Sequence, residues 1–404
     1  MIHFFSPKYD YQRYEFLQYS NYLGEYCRTG RTPFFISDWN SDKSMLSPTV
    51  LAQLAFESSI DNIDNYYSCG DNYCQDIIVD VLSKKYNQYF HRQQITIGNN
   101  ATSLISFFVQ NLLAMGISNY LAIAPIYFSA VDAIHLGHGS ITIMQPELPN
   151  LSIDLFQLEE TIRKNNIQAV IVTDPFFAFG KDVGMNQFEQ IVQICRNCCC
   201  TIICDFARYG LEWESENEHS LFNEKIRIFD DTDRFALIYS PCKQLFANGI
   251  KTAIMVTSRN FTRTITDYSD SVLGSISAAQ LAFLNFILAP QNQSDISSSI
   301  KRNLTHIKAN YNKIQSFILG SNIISYPPDM GNYMVLGIPK TENDYEMFQN
   351  ILKHCNISTL PLSLYHFYNG ERYFFRTNLS LAPTHLLNSV LAIEEFIECT
   401  QQAN

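Results

Sequence analysis

The middle of the chain alternates short apolar runs with helix-length segments, and this alternation limits the possible folds most strongly. Ala169–Thr173 and residues 201–204 are continuous apolar runs, and residues 185–196 between them have a helical pattern. Strands that alternate with helices of this length indicate crossover connections and a mostly parallel sheet. Such strands are apolar throughout because helices cover both faces of the sheet. The pattern therefore predicts an α/β fold.

A different pattern begins near Pro290, where we place a domain boundary. A long helix is predicted at residues 298–319, followed by a mixture of short strands and a helix. We therefore predict a large α/β domain at residues 46–290 and a smaller α+β domain at residues 291–404, which includes the interdomain helix. We expect residues 1–45 to pack with the small domain or with a partner subunit. Further strands are predicted at residues 93–97, 120–124, 235–239, 253–256, 333–336 and 373–377, and further helices at residues 103–115, 155–165 and 345–354.

Composition narrows the classes of partner. The chain has 404 residues, which is enough for about two domains, and a formal net charge of −11. Nucleic-acid binding needs clustered Lys and Arg to neutralise phosphates, and the sequence has no such cluster. No signal peptide is recognisable, and no apolar run approaches the roughly 20 residues that span a bilayer. We expect a soluble, cytoplasmic protein with neither a nucleic-acid nor a membrane partner.

Cysteines are concentrated in one stretch of the chain. Of the 11 cysteines, Cys195, Cys198, Cys199, Cys200 and Cys204 lie close together. Cys195 and Cys198 have the C-x-x-C spacing of some zinc sites. A second Cys or His pair is missing, however, and the run leads into an apolar strand. We therefore assign no metal site and expect reduced thiols, as in the cytosol.

Polar side chains follow the ends of the predicted strands, where open α/β sheets bind ligands. Asn99 and Asn100 open a helix, whose free N–H groups and dipole suit a phosphate. Asp205 can keep a pyridinium nitrogen protonated, and Lys243 can form a Schiff base with an aldehyde. Together they predict a site for an anionic, aromatic, nitrogen-bearing ligand. The remaining candidates at strand ends are Tyr127, whose ring can stack on the ligand, Ser240 and Lys251.

Each of these residues also has a plain structural interpretation. Lys243 could be a surface lysine after a strand, and Asp205 could cap a helix. Tyr127 could belong to the core, since the chain has 23 tyrosines. Asn99 and Asn100 could only form a turn. The case for a ligand site rests on their joint order along the chain.

That order resembles the class I/II aminotransferase family, the fold type I group of pyridoxal-phosphate enzymes. Ser240-x-x-Lys243 resembles the family's Ser-x-x-Lys, and Lys251 stands where the family has an arginine that grips the cofactor phosphate. Residues 174–180 resemble its Asn-Pro-x-Asn-Pro-x-Gly loop, and residues 205–208 resemble its Asp-x-Ala-Tyr segment. The resemblance identifies Lys243 as the residue that carries pyridoxal 5'-phosphate.

Three further segments extend the resemblance towards both ends of the chain. Pro125-Ile126-Tyr127 matches the family's Pro-x-aromatic segment, and Arg376 matches its late arginine, which binds the substrate carboxylate. Tyr66 and Gly70 resemble an early segment of the family, in which the tyrosine reaches the neighbouring subunit's cofactor phosphate. The resemblance implies a mostly parallel seven-stranded sheet, a smaller α+β C-terminal domain and a homodimer with shared sites.

Besides Lys251, two further positions depart from the family pattern. Phe177 stands where the family has an asparagine that contacts the cofactor's phenolic oxygen, and Arg208 stands where it has a tyrosine for the same atom. Arg208 stays charged and could stabilise the phenolate, but the adjacent Tyr209 could equally face the cofactor. The sequence leaves these two alternatives open.

The resemblance implies an enzyme that acts on an α-amino acid through a Lys243 Schiff base. Asp205 would hold the ring nitrogen protonated, the freed Lys243 amine would take the Cα proton, and Arg376 would grip the α-carboxylate. Transamination is the first expectation. The departures at Phe177 and Arg208 keep open a lyase or cyclase of secondary metabolism, resembling the capreomycidine-synthase type that acts on an arginine-type amino acid. A non-catalytic aminotransferase-like binding module is the third alternative.

Overall fold

A computed structural model describes residues 2–5, 11–46, 90–213, 221–231, 233–261 and 276–402, with a few single positions at 76–83 and 269–274. Its strands are β1 Ile2–Phe5, β2 Phe34–Phe35, β3 Ile95–Gly98, β4 Asn119–Ile123, β5 Ser140–Met144, β6 Ala169–Thr173, β7 Thr201–Phe206, β8 Phe235–Tyr239, β9 Ala253–Thr257, β10 Ile324–Tyr326, β11 Tyr333–Pro339, β12 Ile357–Ser358 and β13 Arg372–Asn378. Its helices are α1 Tyr11–Arg28, α2 Ala101–Ala114, α3 Phe128–Leu136, α4 Leu155–Lys164, α5 Met185–Asn197, α6 Leu221–Arg227, α7 Ala278–Leu288, α8 Gln293–Ile318, α9 Asp344–Cys355 and α10 Pro383–Gln402.

The large sheet has eight strands in the order β1-β5-β4-β6-β7-β8-β9-β3. Strands β4 to β8 run parallel, and β9 is antiparallel to both β8 and β3. Seven of these strands form the mostly parallel sheet that the sequence predicts, so the α/β prediction is confirmed. The eighth strand, β1, was not predicted; it pairs antiparallel with β5 at the edge.

The apolar content of the strands explains why this sheet forms. All five residues of β6 are buried, because helices pack on the sheet from both sides. Helix α5 buries Phe188, Ile191, Val192 and Cys195, which share one face at helical spacing. Each fully buried side chain of the size of Phe188 or Ile191 stabilises the fold by about 1.5–3 kcal/mol. The cysteine-rich stretch thus contributes to this core, where burial raises the pKa of the Cys195 and Cys204 thiols.

A second, smaller sheet has the order β10-β11-β13 and is antiparallel throughout. Its core includes Leu336 and Phe375 together with Ile307 and Ile314 of the long helix α8. The N-terminal segment contributes to both sheets: β1 joins the large sheet, whereas β2 pairs with β12. In α1, the Tyr19 ring centroid lies 4.9 Å from that of Phe348 in α9. The domain boundaries at residues 45 and 290 stay a prediction.

The topology brings the predicted site residues to one edge of the large sheet. Strands β3, β4, β6, β7 and β8 all end at this edge, and the antiparallel β9 begins there. Connections that leave parallel strands at a common edge form a crevice for ligands. In the described part of the chain, no helix is both long and apolar enough to cross a bilayer.

Candidate active site

A cavity of about 500 Å³ opens at this edge of the large sheet. A volume of this size suits a small ligand or cofactor. Eight residues that the sequence singled out line the cavity: Asn100, Tyr127, Phe177, Asp205, Arg208, Ser240, Lys243 and Lys251. Tyr66, the remaining candidate from the early part of the chain, lies outside the described residues.

Lys243 ends the short 3-10 turn Pro241–Lys243 that follows β8. Its backbone N–H donates to the Ser240 carbonyl at 3.1 Å, which holds the side chain at the end of the strand. Burial lowers the pKa of the Lys243 amine, and the positive charge of Arg208 lowers it further. A lower pKa leaves more of the amine neutral, which is the form that attacks an aldehyde.

Ser240 fastens the ends of two neighbouring strands. Its hydroxyl donates to the Thr252 carbonyl at 2.9 Å, so the end of β8 is tied to the start of β9. Lys251 immediately precedes Thr252, has an exposed side chain and lines the same cavity. These contacts place an ammonium group of Lys251 near Lys243 without burying it.

Asp205 lies near the end of β7 and lines the cavity. Its Oδ1 accepts a hydrogen bond from the Ala207 N–H at 3.1 Å, which fixes the carboxyl group. Burial raises the pKa of Asp205, while the Ala207 N–H and the charges of Arg208 and Lys243 oppose that rise. A half-buried carboxylate held in this way can pair with a protonated ring nitrogen.

The two adjacent asparagines have different positions. Asn100 is the N-cap of α2: its Oδ1 accepts from the Ser103 N–H at 2.8 Å, and the first helical residues Ala101 and Thr102 also line the cavity. The free N–H groups of a helix start can bind a phosphate. Asn99 instead donates its side-chain amide to the Leu273 carbonyl at 3.3 Å. The structure thus brings Asn100, but not Asn99, to the cavity lining.

Aromatic rings form one wall of the cavity. The Tyr127 ring centroid lies 5.7 Å from those of Trp39 and Phe177, and the Phe177 centroid lies 4.6 Å from that of Tyr365. Phe177 is 6% exposed and donates no hydrogen bond, so this wall is apolar where the family pattern has an amide. Apolar walls exclude water and strengthen the electrostatic contacts inside.

Arg208, not Tyr209, faces the cavity. Arg208 lines it and donates from Nη1 to Asn332 Oδ1 at 2.9 Å. Its guanidinium carbon lies 4.2 Å from the centroid of the Tyr333 ring. The Tyr209 side chain is 0% exposed and donates its hydroxyl to Asp182 at 2.7 Å, on the core side of the turn.

Arg376 lies on β13, behind the cavity wall, with a fully buried side chain. Its Nη2 donates to the Ser37 carbonyl, and its guanidinium carbon lies 3.7 Å from the Trp39 ring centroid and 4.5 Å from that of Tyr333. Its Nε and Nη1 are buried without a hydrogen-bond partner in the described structure. Because buried unpaired N–H groups of a charged side chain are costly, these two groups suit an anionic acceptor such as a carboxylate.

The sequence analysis missed several residues of the site. Trp39 and Asn40 from the N-terminal segment line the cavity, and Asn332 orients Arg208. The available signal was slight: Trp39 is one of only two tryptophans in the chain. None of the three lies at the end of a large-sheet strand, which was the criterion that found the others.

Among protein-family models, the one described as aminotransferase class I and II matches residues 57–392. The chain belongs to this family. The aminotransferase is therefore a pyridoxal-phosphate-dependent transferase, as the sequence analysis predicted, and its cofactor is pyridoxal 5'-phosphate. No curated protein sequence matches the chain significantly.

Several solved structures have the same fold. The aminotransferase is similar to aspartate aminotransferase from Thermus thermophilus solved with maleate, with a TM-score of 0.79, 11% identity and coverage of 94% of this chain and 96% of that chain. An aminotransferase from Escherichia coli gives a TM-score of 0.79 at 16% identity, covering 93% and 94%. YbdL from Escherichia coli, described as having a methionine aminotransferase function, gives 0.76 at 14% identity, covering 94% and 96%. At these identities the likeness shows the fold.

The cavity fits the cofactor on its own chemistry. It offers a half-buried amine of Lys243 for the aldehyde, the Asp205 carboxylate for the ring nitrogen and the start of α2 for the phosphate. Nε and Nη1 of Arg376 lie behind the aromatic wall, where none of the described residues accepts a hydrogen bond from them. The cytoplasmic location stays a prediction.

Proposed function

We propose that the protein transfers the amino group of an α-amino acid to a keto acid, with the cofactor carried by Lys243. The observation that carries this proposal is the placement of Lys243 and Asp205 in one cavity, with the buried, unpartnered Nε and Nη1 of Arg376 behind its wall. These are the three groups needed for amine exchange, ring protonation and carboxylate binding.

Each of these side chains has a separate role in the proposed reaction. The bound cofactor supplies an electron sink for the Cα of the amino acid. Lys243 takes the Cα proton on Nζ, because its lowered pKa leaves more of the amine in the neutral form. Asp205 keeps the proton on the ring nitrogen, and Arg376 binds the α-carboxylate through its guanidinium group.

The rest of the cavity positions the cofactor. Asn100 caps the helix whose first N–H groups bind the phosphate, and Lys251 and Ser240 line the same cavity. Tyr127 stacks on the ring, while Phe177 excludes water from one side. We also infer a homodimer, in which Tyr66 reaches the neighbouring subunit's phosphate as the family pattern implies.

The charges of the cavity weigh against the arginine-type lyase or cyclase. Its described lining carries the cations Arg208 and Lys251, together with the amine of Lys243. Of the lining carboxylates, Asp174 is paired with the buried Lys225, and Asp205 is taken by the ring nitrogen. Within this lining, no carboxylate remains to receive a second guanidinium group. Transamination of a neutral or acidic amino acid is therefore the better-supported reaction.

A single turnover without keto acid tests the proposal. Cofactor-loaded protein is mixed in turn with leucine, phenylalanine, methionine, aspartate and arginine. With a true substrate, the visible band should disappear once per site while the amine form of the cofactor accumulates, and adding 2-oxoglutarate should restore it. Repeated product formation with the band returning each cycle would instead identify a lyase or cyclase. A variant lacking the amine, Lys243→Ala, is the control for background exchange.

A further inference from the structure

A buried ion cluster lies beneath the cavity and has no role in the proposed reaction. Lys225 of α6 has a fully buried side chain and bonds to the carboxylates of Asp174 and Asp182, the latter at 2.7 Å. Asp182 also accepts the Tyr209 hydroxyl at 2.7 Å. These four residues come from the end of β6, the loop after it, the turn after β7 and α6. The cluster therefore connects four segments of the chain that meet beneath the cavity.

Two hydrogen bonds connect this cluster to the reacting groups. Asp174 lines the cavity, and its N–H donates to the Asp205 carbonyl at 3.1 Å. The Tyr209 carbonyl accepts from Gln244 Nε2 at 3.0 Å, and Gln244 follows Lys243 directly. The turn between Asp205 and Gly210 is thus held at both ends.

Tyr209 and its neighbour Arg208 leave this turn on opposite sides. The cluster pulls the Tyr209 hydroxyl into the core, and Arg208 enters the cavity, where Asn332 orients it. The family pattern has its tyrosine at position 208; in this chain the tyrosine stands one position later and is sequestered. The ion pair between Asp182 and Lys225 therefore holds the partner of Tyr209 in place. We regard this anchor and the entry of Arg208 into the cavity as one arrangement.

The charges explain why Lys225 is needed. Burial raises the pKa of Asp174 to about 6, against the opposing charge of Lys225, so the carboxylate depends on that lysine for its neutralisation. Without Lys225, Asp174 and Asp182 would lie next to each other without a countercharge. The anchor of Tyr209 on Asp182, and with it the turn that carries Arg208, would then lose its support.

We propose that Lys225 is a positioning residue, which neutralises Asp174 and anchors Tyr209 through Asp182 so that Arg208 faces the cofactor's phenolic oxygen. This inference rests on the proposed function, because it assumes that the cofactor occupies the cavity. The other charged or titratable groups around Arg208 are Asp205 of β7, Lys243 after β8, Tyr333 of β11 and Arg376 of β13, with Tyr127 and Tyr365 in the aromatic wall.

The position of Arg208 can be measured through the colour of the bound cofactor. A fixed positive charge beside the phenolic oxygen opposes protonation there, so it lowers the pH midpoint at which the visible band changes. Removing a charge that lies within about 4–6 Å of a titrating group shifts the pKa of that group by about 1–3 units. Arg208→Gln should therefore raise the midpoint by at least about one pH unit. Lys225→Met should also raise the pH midpoint, although Lys225 does not line the cavity.

Three further variants separate positioning from stability. Asp174→Asn combined with Lys225→Met removes one charge of each sign, keeps the Asp182–Tyr209 bond and should return the midpoint towards wild type. Arg208→Gln with Lys225→Met should shift it no further than Arg208→Gln alone. Lys181→Met removes a lysine from the nearby ion pair with Asp329, 2.8 Å, and should leave the midpoint unchanged.

Failure of the proposed function and failure of the positioning role of Lys225 give different results. A wild-type protein that binds no pyridoxal phosphate would refute the proposed function itself. A Lys225→Met protein that melts at lower temperature but keeps the wild-type midpoint would show that Lys225 only stabilises the fold, and would overturn the inference. If Lys225→Met does not fold, Tyr209→Phe replaces it: loss of this one hydroxyl should raise the midpoint, and an unchanged midpoint would overturn the inference equally.

Discussion

The two sides of the cavity differ in how their functional groups are held. On the large-sheet side, Asp205 and Lys243 stand at the ends of strands and are fixed by neighbouring backbone groups, such as the Ala207 N–H 3.1 Å from Asp205. On the small-sheet side, Arg376 is held by the Trp39 and Tyr333 rings and by a carbonyl of the N-terminal segment. The first side therefore depends on local geometry, and the second on contacts between distant parts of the chain.

This difference separates two functions. The large-sheet side presents the groups for cofactor chemistry, whereas the small-sheet side presents the group for substrate recognition. Substitutions on the first side should affect cofactor attachment and the chemical step. Substitutions on the second side should affect amino-acid binding while the cofactor remains bound.

The largest effect is expected from Lys243→Ala. It removes both the cofactor's attachment point and the base for the Cα proton, and loss of a positioned base costs about 10²–10⁴-fold in rate. Steady-state transamination should fall by at least that factor, and the visible band of the purified protein should be lost. Lys340→Ala, in an ion pair with Asp344 far from the cavity, should behave as wild type. Full activity of Lys243→Ala would contradict the assignment of the reacting lysine.

Arg376→Lys should produce the next largest effect and act on the other side of the cavity. A point charge cannot reproduce a planar carboxylate grip, and hydrogen bonds to charged groups contribute roughly 1.5–3 kcal/mol. Amino-acid affinity should therefore fall roughly 10- to 150-fold at 1.4 kcal/mol per tenfold, with cofactor affinity little changed. Arg372→Lys, on the same strand but bonded to the Asn322 and Gly337 carbonyls, is the control. Equal loss of cofactor and substrate binding would place Arg376 outside the substrate site.

Trp39→Ala should weaken substrate binding less than Arg376→Lys. It removes the ring 3.7 Å from the Arg376 guanidinium carbon, and such a contact contributes about 0.5–2 kcal/mol. The Michaelis constant for the amino acid should rise severalfold, with a smaller rise for Trp39→Phe, which keeps a ring. A change in the turnover number alone would show that Trp39 acts on the chemical step instead.

The same difference between the two sides explains which residues of the site could be predicted from the sequence. Asp205 and Lys243 follow buried strands whose apolar pattern is local, so their convergence at one edge was predictable from the parallel sheet. Trp39, Asn332 and Arg376 are brought together by tertiary packing; only Arg376 was found, through the family pattern. The sequence could not decide between Arg208 and Tyr209. We link this choice to the buried Lys225, which no sequence motif marks.

Smaller differences have similar local causes. The four-residue edge strand Ile2–Phe5 is too short to give a periodic signal. Helix α8 begins at Gln293, earlier than predicted. The prediction began later because the first residues of the helix are mostly polar and give no apolar stripe. Of Asn99 and Asn100, both suited to a helix start, capping geometry places only Asn100 at the cavity.

The smallest effect is a shift in pH dependence that links Arg208 to Lys243. Burial and Arg208 both lower the pKa of Lys243, so Arg208→Gln should raise that pKa and move the pH at which the apoprotein takes up cofactor upwards. The rate of uptake measured against pH should show this displacement. Arg163→Gln, which removes an exposed cation paired with Glu159, should leave the profile in place. A profile that moves downwards or not at all would show that Arg208 does not act on Lys243.

The central claim is that Lys243 carries pyridoxal 5'-phosphate in this cavity. Borohydride reduction of the purified protein, followed by proteolysis and mass spectrometry of the peptides, tests it directly. The phosphopyridoxyl mass should be found on the peptide containing Lys243 and on that residue. A label on Lys251, which lines the same cavity, or on any other lysine would contradict the account.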